Sequence, residues 1–283
     1  MLLRVFLAGL AAFASGAVAA PVQTSKQLTI VRPALREYED GPAATAENPF
    51  LTGETVFFSF QIAGYQVSPE SRTDLRYRVE AADPAGILIV EPIGQDLATQ
   101  VSPEDKNWMP VVRGSFLIPP LALAGAYRVR IAVEDRLSGQ KTSAELALPV
   151  RGRHVEPSDT LVTRNFRFLR AEDDPEPLAP AVYHAGDAIW ARFDITGFRY
   201  GEKNHVHVEY GIAMVTVSGR TLYSQPQAAV EDDATYYPKR YLAGALSLSL
   251  GQDFKPGEYV IVLTVRDQVG NQTAESRHAF RVE

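Results

Sequence analysis

Two histidines and a glutamate alternate with valines in His205-Val206-His207-Val208-Glu209. On a strand these three polar side chains share one face, about 6.6–7 Å from one residue to the next but one. Two imidazoles and a carboxylate form a donor set for a divalent transition metal. A metal-dependent enzyme built on His205, His207 and Glu209 is therefore one reading. It needs a further ligand, and spacing designates neither His184 nor His278. Two acidic runs, Glu172-Asp173-Asp174 and Glu231-Asp232-Asp233, read as loops. Oxygen-rich loops can bind Ca²⁺, but neither run has the spaced acidic pattern of a calcium loop, so solvated charge is the expectation.

Aromatic residues offer a different chemistry. Tyr236-Tyr237-Pro238-Lys239-Arg240-Tyr241 reads as a loop after an acidic run, and the corresponding part of the first half holds Asn107-Trp108-Met109-Pro110. Rings on a loop can anchor a protein partner or stack on a sugar. Phe57 and Trp190 occupy equivalent outward positions on two strands; these rings could equally cover a sheet face or a contact between domains. Nucleophile elbows, His-Glu-x-x-His and phosphate-loop motifs are absent from the sequence. No cofactor is implied.

The 283 residues are 46% hydrophobic and 22% charged, an ordinary globular composition. With no cysteine, disulfide scaffolds, thiol catalysis and Cys-ligated metals are excluded. Lys plus Arg number 28 against 34 Asp plus Glu, and no basic tract occurs, so nucleic acid is not an expected partner. Residues 1–19 read as a bacterial-type signal peptide. Arg4 precedes the apolar stretch Val5–Phe13, and Ala17-Val18-Ala19 supplies small residues for cleavage. The stretch is too short to cross a ~30 Å hydrocarbon core, and no later segment approaches the ~18 apolar residues a span requires. A periplasmic or secreted location, with no membrane span in the mature chain, is the expectation.

The halves of the chain repeat each other. Leu28-Thr29-Ile30-Val31-Arg32 matches Leu161-Val162-Thr163-Arg164-Asn165 at an offset of 133. Gly53-Glu54 with Gly186-Asp187, Gly64-Tyr65 with Gly197-Phe198, and Gly86 with Gly219 keep that offset. It becomes 132 for Gly125-Ala126-Tyr127 with Gly257-Glu258-Tyr259, and for Val133, Asp135 and Val150 with Val265, Asp267 and Val282. A period this long is a whole domain. The copies run over about 28–150 and 161–283, joined by the polar linker 151–160. Arg72, Asp74 and Arg76 stand where the second copy has His205, His207 and Glu209, so that row reads as a solvent face.

What positions these residues is a set of strands. Tyr127, Val129, Ile131 and Val133 alternate with polar residues, as do Tyr259, Ile261, Leu263 and Val265; a period of two marks half-buried strands. Val56, Phe58, Phe60 and Ile62 correspond to Ile189, Ala191, Phe193 and Ile195 on a second inward row. Leu137-Ser138-Gly139 and Val269-Gly270-Asn271 are turns, followed by strands at 143–150 and 273–282. Middle strands are expected at 75–82 and 87–91, then 205–217 and 220–224. Many short strands between Gly and Pro turns argue for antiparallel sandwiches.

Gly-x-Tyr at the start of a strand, with Val129 or Ile261 two places beyond the tyrosine, resembles the tyrosine corner of immunoglobulin-like domains, without their cysteine. The segment Thr264–Thr273 is similar to the last hairpin of bacterial Ig-like repeats. The resemblance covers about a fifth of each copy and implies a sandwich of some seven strands, a spacer or binding module, and no catalytic residue.

The sequence thus predicts an all-β chain of two tandem antiparallel Ig-like β-sandwiches arising from an internal duplication. The expected function is an exported, non-catalytic binding or structural module. It would recognise a protein or envelope partner through loops and outward rings, with Tyr236, Tyr237, Tyr241, Trp108 and Trp190 as contact residues. A carbohydrate-binding protein using the same rings, and the metal-dependent enzyme, are the alternatives.

Overall fold

Strands with alternating apolar side chains pair wherever both partners can bury the same face, and the chain does this twice. The computed structural model describes residues 27–45, 47–102, 104–105 and 107–283, so the expected signal peptide at 1–19 lies outside the described residues. The first half forms β1 (Thr29–Arg36), β2 (Phe50–Leu51), β3 (Thr55–Ala63), β4 (Arg72–Ala82), β5 (Ile93–Gln100), β6 (Val111–Leu117), β7 (Gly125–Asp135) and β8 (Lys141–Arg151). The second forms β9 (Val162–Leu169), β10 (Val182–Tyr183), β11 (Ala188–Thr196), β12 (His205–Thr216), β13 (Thr221–Ala234), β14 (Leu242–Ser249), β15 (Gly257–Asp267) and β16 (Gln272–Val282). The helical content of the described residues is one 3-10 turn, Glu202–Asn204.

Each half packs a three-stranded sheet on a five-stranded one. The orders β1-β3-β6 and β2-β8-β7-β4-β5 recur strand for strand as β9-β11-β14 and β10-β16-β15-β12-β13. All pairings are antiparallel except the short β2 with β8 and β10 with β16. These are two tandem Ig-like sandwiches. The rows Val56–Ile62 and Tyr127–Val133 are buried in the first core, and Ile189–Ile195 and Tyr259–Val265 in the second.

The polar framework repeats too. The tyrosine corners are formed: Tyr127 donates its hydroxyl to the Leu123 carbonyl at 2.7 Å, and Tyr259 to that of Lys255 at 2.8 Å. Buried Asp135 accepts the Gln66 N–H and buried Asp267 the Arg199 N–H, tying the last hairpin to the loop after β3 or β11. The Gln140 and Gln272 amide oxygens accept the N–H groups of Leu28 and Leu161, both at 3.0 Å. Positive φ recurs at Gly53 and Gly186, Gly64 and Gly197, and Gly86 and Gly219. Even the bulges repeat, with Arg32 and Asn165 in the left-handed region where β1 and β9 slip register. Removing one corner hydroxyl, as in Tyr259→Phe, is expected to cost about 1–1.5 kcal/mol in denaturant unfolding. A loss below a few tenths would remove the corner from the list of stabilising contacts.

Two middle strands differ from expectation. Residues 87–91 contribute an isolated bridge, Ala82 with Leu88, and the strand lies at 93–100. In the second half β13 runs to Ala234 instead of stopping at 224, which takes Glu231-Asp232-Asp233 out of the expected loop and into a strand. Both are edge strands with most side chains in water, so they lack the alternation that reveals a half-buried strand. Pro226 is tolerated because β13 is an edge and bulges there: Tyr210 faces Ala229 while Ile212 faces Gln225.

Candidate functional site at the junction of the sandwiches

The Tyr236–Tyr241 segment connects β13 to β14 and is braced by its own domain. Asn204 donates to the carbonyls of Thr235 and Tyr236, and the Tyr200 hydroxyl to that of Lys239. Lys239 bridges Glu231 and Asp233, two carboxylates directed toward the inner side of the sheet edge. Held this way, the loop reaches the first sandwich.

Its central ring is not free. Tyr237 is 5% exposed and joins the hydrophobic core of the first sandwich. Its hydroxyl donates to Asp83 Oδ2 at 3.0 Å, and Arg240 donates to the same oxygen at 2.5 Å. Asp83 follows β4, and its other oxygen accepts the N–H groups of Ala85 and Ile87, both at 2.9 Å. The Arg240 guanidinium lies 5.2 Å from the Tyr237 ring centre, a cation–π contact. Burial alone would raise the Asp83 carboxyl. The Ile87 N–H, Arg240 and Tyr237 outweigh it and hold the group below its usual value. Burial likewise pulls Arg240 down, but Tyr237 and Asp83 more than offset it and leave Arg240 raised. Burial pushes up the hydroxyls of Tyr237 and Tyr127.

Tyr241 is 3% exposed and also corrects the expectation. Arg153 of the linker stacks 5.6 Å from its ring centre and pairs at 2.7 Å with fully buried Asp194, whose Oδ2 also accepts from Asn165. The linker therefore meets the outer face of β11 at Asp194, and its own Val155 is buried. Tyr237 and Tyr241 are structural rings: Tyr237 enters an apolar core beside Arg240, and Tyr241 is buried against the Arg153 guanidinium. Only Tyr236 of the three stands in the open, at 47% exposure.

Clefts flank this contact. One, of about 500 Å³, lies between Pro84, Leu123, Val155, Phe198 and Tyr200. The other, about 640 Å³ and mostly apolar, is lined by Ile89, Leu117, Pro119, Pro120, Leu121 and the ring of Tyr236, with Glu91 and Lys239 beside them. Both sandwiches contribute walls to each. Asp83, Arg240 and the Pro119-Pro120 wall were not singled out by sequence reasoning. Asp83-Pro84-Ala85-Gly86 reads as a turn, and a turn aspartate carries no mark of a second partner.

The remaining candidates lie elsewhere. Trp108 is 38% exposed; its carbonyl accepts the Tyr65 hydroxyl and its ring meets Tyr65 edge-on. Trp190 and Phe57 are half-buried on the outer faces of β11 and β3. His205 and His207 do share the outer face of β12, but both turn to Asp232 across the pair, at 2.7 and 3.6 Å. Glu209 instead meets Arg266, Gln227 and Gln268, so the alternative His-His-Glu set is not assembled. His278 stacks on Phe166 and His184 lies by Asp187. Among the described residues no group of three or more His, Asp or Glu is arranged to hold a metal ion.

No family model matches the chain, and no curated protein does. Among solved structures it is similar to the C-terminal domain of the Streptococcus agalactiae AgI/II polypeptide BspA. The sequences are 11% identical over 89% of this chain and 100% of that one, with a TM-score of 0.32. A second solved chain, BspA_C_WT, is 10% identical over 91% of this chain and 99% of that one, with a TM-score of 0.30.

Proposed function

We propose that this chain is an exported, non-catalytic binding module that recognises a protein or envelope partner at the junction of its two sandwiches. The observation that carries the reading is the exposed Tyr236 ring over the apolar groove of Leu117, Pro119, Pro120 and Leu121. An aromatic residue beside a pre-formed apolar groove supplies the kind of anchor that dominates interface energetics. The Asp83–Tyr237–Arg240 contact fixes the loop, so little order has to be gained on binding. The signal-like segment at 1–19 supports export, and no described helix is long and apolar enough to cross a membrane.

Retention of an envelope component by the immobilised mature chain is the test. Tyr236→Ala is expected to weaken retention about 30-fold, the effect of truncating an interface anchor worth ~2 kcal/mol. Retention unchanged by Tyr236→Ala but lost on Trp108→Ala would move the site to the other aromatic shelf. There Trp108, Tyr65, Asp105 and Asn107 line a hollow of about 300 Å³, a ring beside polar groups that suits a sugar. That observation favours the carbohydrate reading as the second one.

A further inference from the structure

Two arginines face each other on the outer side of the β9-β11-β14 sheet. Ala191, Phe193 and Ile195 of β11 point into the core, so the alternating Trp190, Arg192 and Asp194 point outward. Register sets Arg167 of β9 directly opposite Arg192, and Arg164 opposite Asp194. Residues opposite one another in an antiparallel pair hold their Cβ atoms about 4.5–5.5 Å apart, and like charges placed there repel. On the other flank β14 presents only Ala243, Ala245 and Ser247 to this row. The first copy has Ala34 facing Ser59 in the same setting, so the fold does not require the two cations.

The chain supplies little to neutralise them. The Arg167 guanidinium has no hydrogen-bond or ion-pair partner among the described residues, and the Nε atoms of Arg164 and Arg167 are buried without an acceptor. Arg192 meets Asp173 at 3.6 Å and Arg164 meets Glu156 at 3.7 Å, but those carboxylates are 99% and 73% exposed, and pairs of this kind are weak. Asp194 is already committed to Arg153 and Asn165. Donors therefore exceed acceptors between β9 and β11, which suits an anion. A flat carboxylate matches one guanidinium, whereas the tetrahedral oxygens of a phosphoryl group can accept from two at once. Trp190, the next outward residue along β11, puts a half-buried ring beside the pair for the body of a ligand. We infer that the outer face of the β9-β11-β14 sheet binds a phosphoryl group between Arg167 and Arg192. The site uses neither Tyr236 nor its groove.

Calorimetric titration of the mature chain with inorganic phosphate at low salt tests this. Phosphate is expected to bind with a dissociation constant of about 1 mM. Arg167→Ala and Arg192→Ser install the residues that the first copy carries at these places, and each is expected to raise that constant at least about tenfold. Arg220→Ala, in the turn between β12 and β13, is expected to bind as the wild type does. Acetate at the same concentrations is expected to give no comparable heat. Vesicles of phosphatidylglycerol separate two sources of the group. Retention on them that Arg167→Ala abolishes supports the inference with a lipid headgroup as ligand; phosphate binding without retention supports it with a soluble phosphate. Absence of saturable phosphate binding up to about 10 mM overturns the inference. So does binding that neither substitution weakens, or binding that acetate reproduces.

Discussion

Asp83→Ala is expected to destabilise the protein by about 3 kcal/mol, near the lower end for removing one member of a buried pair. The Asp83 side chain is 4% exposed and that of Arg240 25%, so Arg240 is left only partly able to recover water. The loss is compounded because the other Asp83 oxygen is the acceptor for two turn N–H groups. Roughly 6–12 °C of melting temperature should go with it. Because the carboxylate is the polar tie between the sandwiches at Tyr237 and Arg240, unfolding should also separate into two transitions.

Acid should reproduce the effect. The folded carboxyl sits below its ordinary value of 3.8, so as pH falls the unfolded chain takes up the proton first. The stabilisation is complete above about pH 4 and is lost as pH drops further, so the gap between wild type and Asp83→Ala should close in that window. Calorimetry at neutral pH and at pH 3 checks both parts; a neutral-pH loss under about 1 kcal/mol would show that the contact is incidental.

Gly197→Ala is the second large effect. This residue has a φ of +78°, and an added Cβ would stand 1.9 Å from the Thr160 carbonyl oxygen and 2.3 Å from its carbon. Both are backbone atoms, so no rotamer change relieves the clash. Thr160 cannot easily withdraw, because the next N–H, of Leu161, is bound to Gln272, which also donates to the Gly197 carbonyl. Left-handed strain of about 1–2 kcal/mol adds to overpacking of similar size, giving a loss of about 3 kcal/mol. Gly219→Ala is the control, since φ there is +89° with nothing within 4 Å of the added carbon. It should cost only the strain, about 1 kcal/mol. Equal losses at the two sites, read from urea midpoints, would mean that the close approach to Thr160 contributes nothing.

These two residues also mark what a sequence can disclose. Gly197 was visible as half of a pair with Gly64, and the structure gives both the same conformation for the same reason: a strand start crosses close behind each. The inward rows and tyrosine corners were legible because periodicity and local spacing dictate them. Strand β5 and the second part of β13, beyond residue 224, were not, since an edge strand buries neither face well enough to impose a pattern. Asp83 was illegible for a different reason. Its partner Tyr237 lies 154 residues away, and nothing in either neighbourhood encodes the meeting. The same fact misdirected the reading of Tyr237 and Tyr241, whose loop composition suits a free surface as well as a docked one. His205 and His207 were placed on the correct face, but their shared carboxylate, Asp232, came from a run expected in a loop.

Tyr237 completes a core made by residues that precede it in the chain. As the polypeptide emerges from its N-terminal end, the earlier sandwich, complete at Arg151, must wait with an unfilled socket beside Tyr127 until Tyr237, 86 residues further on, has appeared. A truncated product ending at the linker would keep that socket open, exposing apolar surface to chaperones and proteases. Maturation of the earlier half is thereby coupled to successful synthesis of the later one.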